Sequence, residues 1–259
     1  MVTETTCCPH CGKAEPVVRY GYNRGGTARC RCNDCHKTFT PKPNPRTVTA
    51  EKEQGIRDAL SERLSMRLSM RLSIDAVARM LHVSKTTIYN TLKKTSSPST
   101  GASTDSLLCP KRDAVEMDEL CINWRRNQWL WTAVSRYTGQ VLAFVIGDRK
   151  WDRIEELWAR LPPAWRHRLV YTDGYGAYAW FFSAWQHRPC EKFDGGTSTV
   201  EGVNNSLRHR CGWLVRRSSA RARDLGLLER RLLLTVEAHN RDTDKRLNKR
   251  KRRHAASTH

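Results

Sequence analysis

Short apolar runs separated by polar turns dominate the second half of the chain. The runs AVEMDELCI, WLWTAVS and VLAFVIG predict three consecutive strands, at 114–122, 129–135 and 141–147. The tripeptide Tyr-Thr-Gly at 137–139 predicts a hairpin turn between the second and third strands. Downstream, the pattern predicts a helix at about 151–161, the strand RLVYT, a helix from about 175, a short segment near 188–193, and two basic helices at about 198–212 and 222–241.

The first half of the chain follows different patterns. Residues 49–94 have helical periodicity and contain a tandem repeat, RLSMRLSMRLSI, at 63–74. A Pro-rich stretch at 40–47 and a Ser/Thr-rich stretch at 95–106 are typical of linkers. We therefore predict a multidomain α/β protein with five parts: a cysteine-rich part (1–47), a helical part (48–95), a linker (96–112), an α/β domain (113–243) and a basic tail (244–259), which is either disordered or an arm that binds DNA.

The charge balance favours a polyanionic partner. The 259 residues carry a formal net charge of +20, from 46 Lys and Arg against 26 Asp and Glu. Such an excess usually accompanies nucleic-acid binding. No apolar run approaches the roughly 18 residues of a spanning helix, and the N-terminus lacks a signal pattern. We therefore expect no membrane partner and a cytoplasmic, nucleoid-associated protein of a bacterium or archaeon, in which cysteines stay reduced.

Six of the ten cysteines lie in the first 35 residues. Cys8-Pro-His-Cys11 and Cys32-Asn-Asp-Cys35 are two Cys-x2-Cys knuckles, and this spacing is typical of a four-cysteine zinc ribbon. Each knuckle presents two thiolates to one ion, so we predict one structural Zn²⁺. Cys7 and Cys30 flank the knuckles and are alternative ligands; a chance cluster of buried cysteines is the other interpretation.

The segment SIDAVARMLHVSKTTIYNTLKK, residues 73–94, has the pattern of a helix-turn-helix. Ser84 would cap the second helix, and Ile88 and Leu92 would face inward one turn apart. His82 occupies the turn position where Gly is more usual. An ordinary helical hairpin is the alternative. The residues predicted to face DNA are Lys85, Thr86, Thr87 and Asn90, and they are joined by Arg216 and Arg217 further along the chain.

Two aspartates lie on predicted strands, one within the first strand and one at the end of the fourth. Asp118 lies within the first strand, where alternation places it on one face with Glu116, and Glu119 on the other. Asp173 ends the fourth strand in LVYTDGYGAY. Asp-Gly is also a common turn signal, so a purely structural role is the alternative. Three strands, a helix and a fourth strand that ends in an acid follow the element order of an RNase H-like fold, in which the two acids lie side by side. We therefore predict an RNase H-like catalytic domain over residues 113–243.

A third acid of that fold lies on a later helix, and Glu201 in GTSTVEGVNNSLRHR fits this position. Asn204 and Arg208 follow on the same helix and are the predicted supporting residues, Arg208 two turns along the same face. Three carboxylates suit two catalytic Mg²⁺ ions, because hard oxygen ligands hold the ions that clamp a phosphoryl displacement. The glycines at 174 and 176 would let a DNA phosphate approach closely.

These motifs together resemble a transposase of the insertion-sequence-1 family, over nearly the whole chain. The resemblance is carried by CPHC, RCNDC with Phe39, the helix-turn-helix, EMDEL, NQWLWTAVSRYTGQVLAFVIGDR, YTDGYGAY and VEGVNNSLRHR. It implies catalytic Asp118, Asp173 and Glu201, dependence on Mg²⁺, and DNA ends that are joined to a target. It also implies a protein that binds its terminal inverted repeats and target DNA, and that assembles there as a homo-oligomer.

Other interpretations remain open at the level of sequence. The chain is alternatively a DNA-binding regulator with an inactive catalytic domain, or a nuclease, although a nuclease leaves the N-terminal motifs unexplained. Arginines between 208 and 231 predict a face that follows DNA phosphates. Trp124, Trp129 and Trp131 are either packing residues or stacking platforms for a frayed base, and His239 with Glu237 either supports the metals or packs.

Overall fold

The apolar patterns become strands and helices close to the predicted positions. The computed structural model describes residues 6–23, 26–41, 48–61, 73–95, 112–191, 195–214 and 224–257, together with Leu107 and Pro110. Most of the tandem repeat therefore lies outside the described residues. The chain divides into two compact units, residues 1–49 and 50–259, with the boundary close to the end of the predicted ribbon.

The first unit is a small antiparallel sheet of three strands in the order β1-β2-β3. The strands are β1 (Val17–Tyr22), β2 (Ala28–Cys32) and β3 (Thr38–Phe39). One cysteine knuckle precedes β1, and the other begins at the last residue of β2. Because β1 and β2 are antiparallel, the two knuckles lie at the same end of the sheet. The fold class predicted for this unit, a zinc ribbon, is compatible with this arrangement.

Three helices open the second unit: α1 (Ala50–Ser61), α2 (Ile74–Met80) and α3 (Lys85–Lys94). Ser73 and Ser84 cap α2 and α3, and each side chain accepts the backbone N–H of the third residue of its helix. His82 lies between them at a φ of 51°, the left-handed conformation for which Gly is the usual choice. The sequence predicts a separate domain here, but Ile56, Ile88 and Leu92 belong to the same apolar core as the C-terminal helix.

A mixed five-stranded sheet forms the centre of the second unit, in the order β6-β5-β4-β7-β8. The strands are β4 (Val115–Asn123), β5 (Gln128–Ser135), β6 (Val141–Gly147), β7 (Val170–Thr172) and β8 (His187–Pro189). The first three are antiparallel, and Gly139, at a φ of 73°, lies in the hairpin turn that the sequence predicted between β5 and β6. β7 pairs in parallel with both β4 and β8, so the fourth strand lies beside the first.

Helices cover both faces of this sheet. On one face lie α4 (Asp152–Arg160) and α5 (Gly176–Phe181), which close a core around Met117 and Trp131. On the other lie α6 (Ser198–Arg210) and α7 (Leu225–Ser257), whose core includes Leu120 and Leu130. Odd and even positions of β4 therefore enter different cores, as strand alternation requires.

α7 is longer than the sequence pattern predicts. The predicted helix ends near 241 and a disordered or arm-like tail follows, whereas the structure continues the helix to Ser257. Residues 242–257 contain neither Gly nor Pro and are rich in Lys, Arg and Ala, which favour helix. Cations near a helix C-terminus are further stabilised by the helix dipole. Among the described residues, no helix is long and apolar enough to cross a membrane.

Candidate active site and metal centres

An acidic cluster lies where β4 and β7 run side by side. Side-chain oxygens of Asp118, Glu119 and Asp173 all lie within 4.8 Å of one another. Asp118 and Glu119 are central residues of β4, and Asp173 follows the last residue of β7. The parallel register, Val115 with Val170 and Glu116 with Tyr171, carries the two strands to the same level. The structure thus brings together the two aspartates that the sequence predicted to be neighbours.

Helix α6 contributes an amide that orients Asp118. The Asn204 Nδ2 donates to Asp118 Oδ2 at 2.8 Å, and its Oδ1 accepts from the Thr132 hydroxyl at 2.9 Å. Both bonds define which way the amide points. The start of α6 is held in turn by Glu116, whose Oε2 accepts the backbone N–H of Val200 at 2.8 Å. Asn204 is therefore the predicted supporting residue that touches a predicted catalytic acid.

Glu119 is a member of the cluster that the sequence interpretation missed. Its carboxylate accepts hydrogen bonds from Arg149, at 2.9 Å from Nε, and from the Tyr178 hydroxyl at 3.1 Å. The Arg149 guanidinium also lies 4.4 Å from the centre of the Tyr175 ring. Alternation places Glu119 on the face opposite Asp118, but Asp173 lies beyond the end of β7, where it approaches both. The available signal was the third acid in EMDEL, directly after Asp118.

Burial and mutual repulsion raise the pKa values of Asp118 and Glu119. Burial, followed by the charges of Glu119 and Asp173, raises the pKa of Asp118 to about 7. Burial and the charge of Asp173 also raise the pKa of Glu119, against the lowering effect of Arg149. Three carboxylates at this separation repel one another when ionised. An all-oxygen donor set of this kind fits Mg²⁺, which prefers hard carboxylate ligands.

Asp173 also has a local role in its turn. Its Oδ1 accepts the backbone N–H of Tyr175 at 3.1 Å, which is the capping bond expected of an Asp turn. Gly174 and Gly176, however, do not adopt positive φ, and a side chain at either position would meet only open space. Backbone strain therefore does not explain these glycines. Their open surroundings suit close approach by another molecule.

The other residues that the sequence predicted for the site lie outside the acidic cluster or outside the described residues. Glu201 is exposed in the first turn of α6, outside the cluster of three acids, and its Oε1 accepts from Thr197 at 3.3 Å. It lies one turn before Asn204, on the same side of the helix. Arg208 is half-buried further along α6. Arg216 and Arg217 lie outside the described residues.

The four predicted cysteine ligands converge in the first unit. Sγ atoms of Cys8, Cys11, Cys32 and Cys35 lie within 4.8 Å of one another. Two of these separations are 3.6 Å, for Cys8 with Cys35, and 3.5 Å, for Cys11 with Cys32. A tetrahedral zinc with Zn–S bonds of about 2.3 Å requires sulfur separations of about 3.8 Å. The donor set and its spacing therefore fit one Zn²⁺, and the flanking Cys7 and Cys30 are not part of this group.

Helix α3 exposes most of the residues predicted to contact DNA. Lys85, Thr86 and Asn90 are exposed, and Lys85 forms an ion pair with Asp75 at 2.5 Å. Thr87 is half-buried, its backbone N–H donates to Ser84 Oγ at 3.0 Å, and its hydroxyl lies 2.9 Å from the same atom. Thr87 thus contributes to the start of the helix.

Burial corrects one expectation and decides between alternatives that the sequence left open. Arg231 is only 1% exposed and lies over the ring of Trp213, so it is not part of a DNA-facing surface. Trp129 and Trp131 are buried packing residues, and only Trp124 of the three is exposed. His239 is buried in α7 with Nε2 2.9 Å from the carbonyl oxygen of Gly139, as a packed histidine would be.

The raised pKa of Asp118 predicts a pH dependence of stability. In metal-free protein the folded state holds this proton up to about pH 7, whereas an unfolded aspartate loses it near 3.8. The stabilisation is therefore fully present below about pH 4, declines as the pH rises and is gone above about pH 7. In EDTA, we expect wild type to lose stability relative to Asp118→Asn between these limits, measured by thermal unfolding. Added Mg²⁺ should stabilise wild type at about pH 8 and not at about pH 5, and equal profiles for both proteins would contradict this.

One family model and two known proteins match parts of this chain. A family model described as IS1 transposase matches residues 114–251, which include the acidic cluster and all of α6. The insertion element iso-IS1n protein InsB of Shigella dysenteriae is 30% identical over 114 residues, 44% of this chain and 84% of that protein. The insertion element iso-IS1N protein InsA of the same organism is 34% identical over 94 residues, 36% of this chain and 93% of that protein.

Proposed function

Since the chain belongs to the IS1 transposase family, we propose that it is a DNA transposase that binds the terminal inverted repeats of its insertion sequence and catalyses strand cleavage and strand transfer. The observation that carries this proposal is the acidic cluster of Asp118, Glu119 and Asp173 at the junction of β4 and β7. The strand order β6-β5-β4-β7-β8 supports an RNase H-like catalytic domain, because it sets the first and fourth strands side by side.

We assign the predicted metal ligands as follows. Asp118 and Asp173 would hold one Mg²⁺ between them, and Glu201, from α6, would complete the site of a second. When bound, such ions supply Lewis acidity that activates the attacking oxygen and stabilises the leaving oxygen of a phosphodiester. Glu119 already accepts bonds from Arg149 and Tyr178, so we assign it a positioning role.

The residues around the acids prepare this reaction by holding them still. Asn204 fixes the carboxylate of Asp118, and Glu116 anchors the first turn of α6, which carries Glu201. The open surroundings of Gly174 leave room for a DNA phosphate next to Asp173. Rigid support of this kind matters because the reacting groups must be in line before the displacement begins.

DNA recognition is assigned to the N-terminal parts and to the end of α7. The cysteine-bearing unit and α3 would provide sequence preference. The last turns of α7 carry exposed cations that would contact phosphates in any sequence: Lys245, Arg246, Lys249, Arg250, Lys251, Arg252 and Arg253. We further propose that the protein is associated with the nucleoid and assembles as a homo-oligomer on DNA, because transfer must coordinate two ends of one element.

If α3 contacts bases, substitution of its exposed polar residues should reduce the preference of the protein for terminal-repeat DNA. We expect Asn90→Ala and Lys85→Ala each to lower the preference for terminal repeats over random DNA by roughly 5- to 150-fold, the effect of about 1–3 kcal/mol per base contact. The matched control is Lys93→Ala, which removes an exposed cation at the other end of α3. Competition binding on repeat and scrambled duplexes measures both. If all three variants lose affinity equally on the two duplexes, α3 contacts phosphates and does not read bases.

The proposed activity is tested directly with a labelled duplex that carries the inverted repeats flanking the gene. With Mg²⁺ and target DNA, the full chain should nick the duplex at the repeat boundary and join the new 3′ end to the target. Repeat binding without cleavage in either Mg²⁺ or Mn²⁺ would instead favour a DNA-binding regulator.

A further inference from the structure

An open aromatic cleft lies next to the acidic cluster. It has a volume of about 590 Å³ and is lined by Lys150, Trp151, Tyr175, Ala177 and Trp180. Trp151 directly precedes α4, and the last three residues come from α5 and the residue before it. Trp180 is 92% exposed and Trp151 is 61% exposed. Among the described large hydrophobic residues, Trp180 is the most exposed.

These indoles are not used in packing. Neither Trp151 nor Trp180 belongs to, or packs against, the two apolar cores on the faces of the sheet. A single exposed aromatic residue needs no explanation, but two that line one cleft form an apolar surface suited to a flat ligand. Lys150 adds a cation at the rim. Its side chain is exposed although its ion-pair partner Asp148 is half-buried, so the ammonium group can exchange this partner for another anion.

Tyr175 joins the cleft to the carboxylates. Its backbone N–H donates to Asp173 Oδ1 at 3.1 Å, and its hydroxyl donates to the Arg149 carbonyl oxygen at 3.4 Å. The Arg149 guanidinium, which also holds Glu119, lies over the same ring. One wall of the cleft is therefore attached to the acidic cluster on two sides. A nucleotide whose phosphate lies at Asp173 has its neighbours within reach of this wall.

We propose that the cleft binds an unpaired nucleobase of the DNA strand held at the acidic cluster. The faces of Trp151 and Trp180 stack on the base, and Lys150 contacts a flanking phosphate. This inference rests on the proposed function, which places a DNA strand at these carboxylates. A base must leave the duplex stack before an indole can cover its face, so the site favours frayed or extruded nucleotides over paired ones. Stacking is tolerant of base identity, so the cleft recognises unpairing and not sequence.

The test uses the full chain in EDTA and a fluorescent oligothymidylate, so that no cleavage is needed. We expect Trp180→Ala and Trp151→Ala each to weaken binding of this single strand by roughly tenfold, with Trp180→Phe restoring most of the affinity. The matched control is Trp185→Ala, because Trp185 is 65% exposed but lies outside the cleft. Lys150→Gln should reduce the salt dependence of binding by about 0.7 in log–log slope, whereas the tryptophan variants leave the slope unchanged.

A second arm compares cleavage of fully paired terminal repeats with repeats in which the terminal bases are mismatched. Trp180→Ala should slow cleavage of the paired substrate more than the mismatched one. Unchanged oligothymidylate binding in both cleft variants would overturn the inference, as would reduced self-association with unaltered DNA affinity, which would indicate a second copy in the cleft. If both cleft variants lose single-strand binding but the wild-type chain never cleaves DNA, the inference of a base-binding cleft stands and the proposed transposase activity is rejected.

Discussion

Substitution of Asp173 by Asn should abolish cleavage and joining of terminal-repeat DNA. Asn keeps the shape and the oxygen that accepts the Tyr175 N–H, so the turn survives, but the charge that would hold Mg²⁺ is lost. Residues that merely orient metal ligands cost about 10- to 100-fold when changed, so loss of a ligand should cost more than about 100-fold. The measurement is strand cleavage on a labelled repeat duplex with Mg²⁺, with repeat binding measured alongside and expected to be unchanged.

Asp224, directly before α7, provides a matched control. Asp224 also caps a turn, because its Oδ1 accepts the backbone N–H groups of Gly226 and Leu227, but it is exposed and not part of the acidic cluster. Asp224→Asn should therefore leave activity at the wild-type level. Equal activity in Asp173→Asn and wild type would show that Asp173 acts only in its turn. It would favour a DNA-binding regulator over a transposase.

The other acids extend this result. Asp118→Asn should fail as completely as Asp173→Asn, and the double variant should be no worse, because the two carboxylates act as one unit. Glu201→Gln should show the same loss if Glu201 supplies the third ligand. Glu119→Gln should show a smaller loss, since Glu119 acts through Arg149 and Tyr178. A larger loss in Glu119→Gln than in Glu201→Gln would make Glu119 the third ligand.

Cys32→Ser should unfold the first unit. That unit has only three short strands, and its buried residues are few, so the metal supplies much of its folding free energy. Structural zinc contributes about 10–16 kcal/mol in small domains, far more than such a sheet can provide alone. We expect zinc content to fall from one equivalent to near zero, repeat preference to be lost, and unit 1 to become sensitive to protease. Metal analysis and limited proteolysis of the full chain measure these effects.

Cys7→Ser is the control for this experiment. Cys7 is adjacent to Cys8 in sequence but is not among the four converging thiols, so its variant should keep both the metal and the fold. Zinc below about half an equivalent in freshly reduced, well-folded wild type would reject the assignment. Loss of zinc from Cys7→Ser would also contradict the four-ligand set.

Local patterns in the sequence determined much of the fold and part of the site. The two Cys-x2-Cys spacings place thiolate pairs on tight turns whatever the rest of the chain does, and the four thiols converge as predicted. The two faces of β4 followed from period-two alternation, which is a property of the backbone itself. The element order, identified as that of an RNase H-like fold, predicted Asp118 beside Asp173, and β7 does pair in parallel with β4.

Only the tertiary structure decided which side chains meet across elements. Glu119 enters the acidic cluster because β7 ends at Thr172, so that Asp173 lies beyond the strand. The end of β7 depends on its pairing with β4 and β8. Helices α1 and α3 share a core with α7, and Arg231 is buried against the ring of Trp213, since burial is set by long-range packing. Trp151 and Trp180 line an exposed cleft for the same reason. Apolar residues at helical spacing predict a packed face, and only the contacts of the folded chain show which of them remain uncovered.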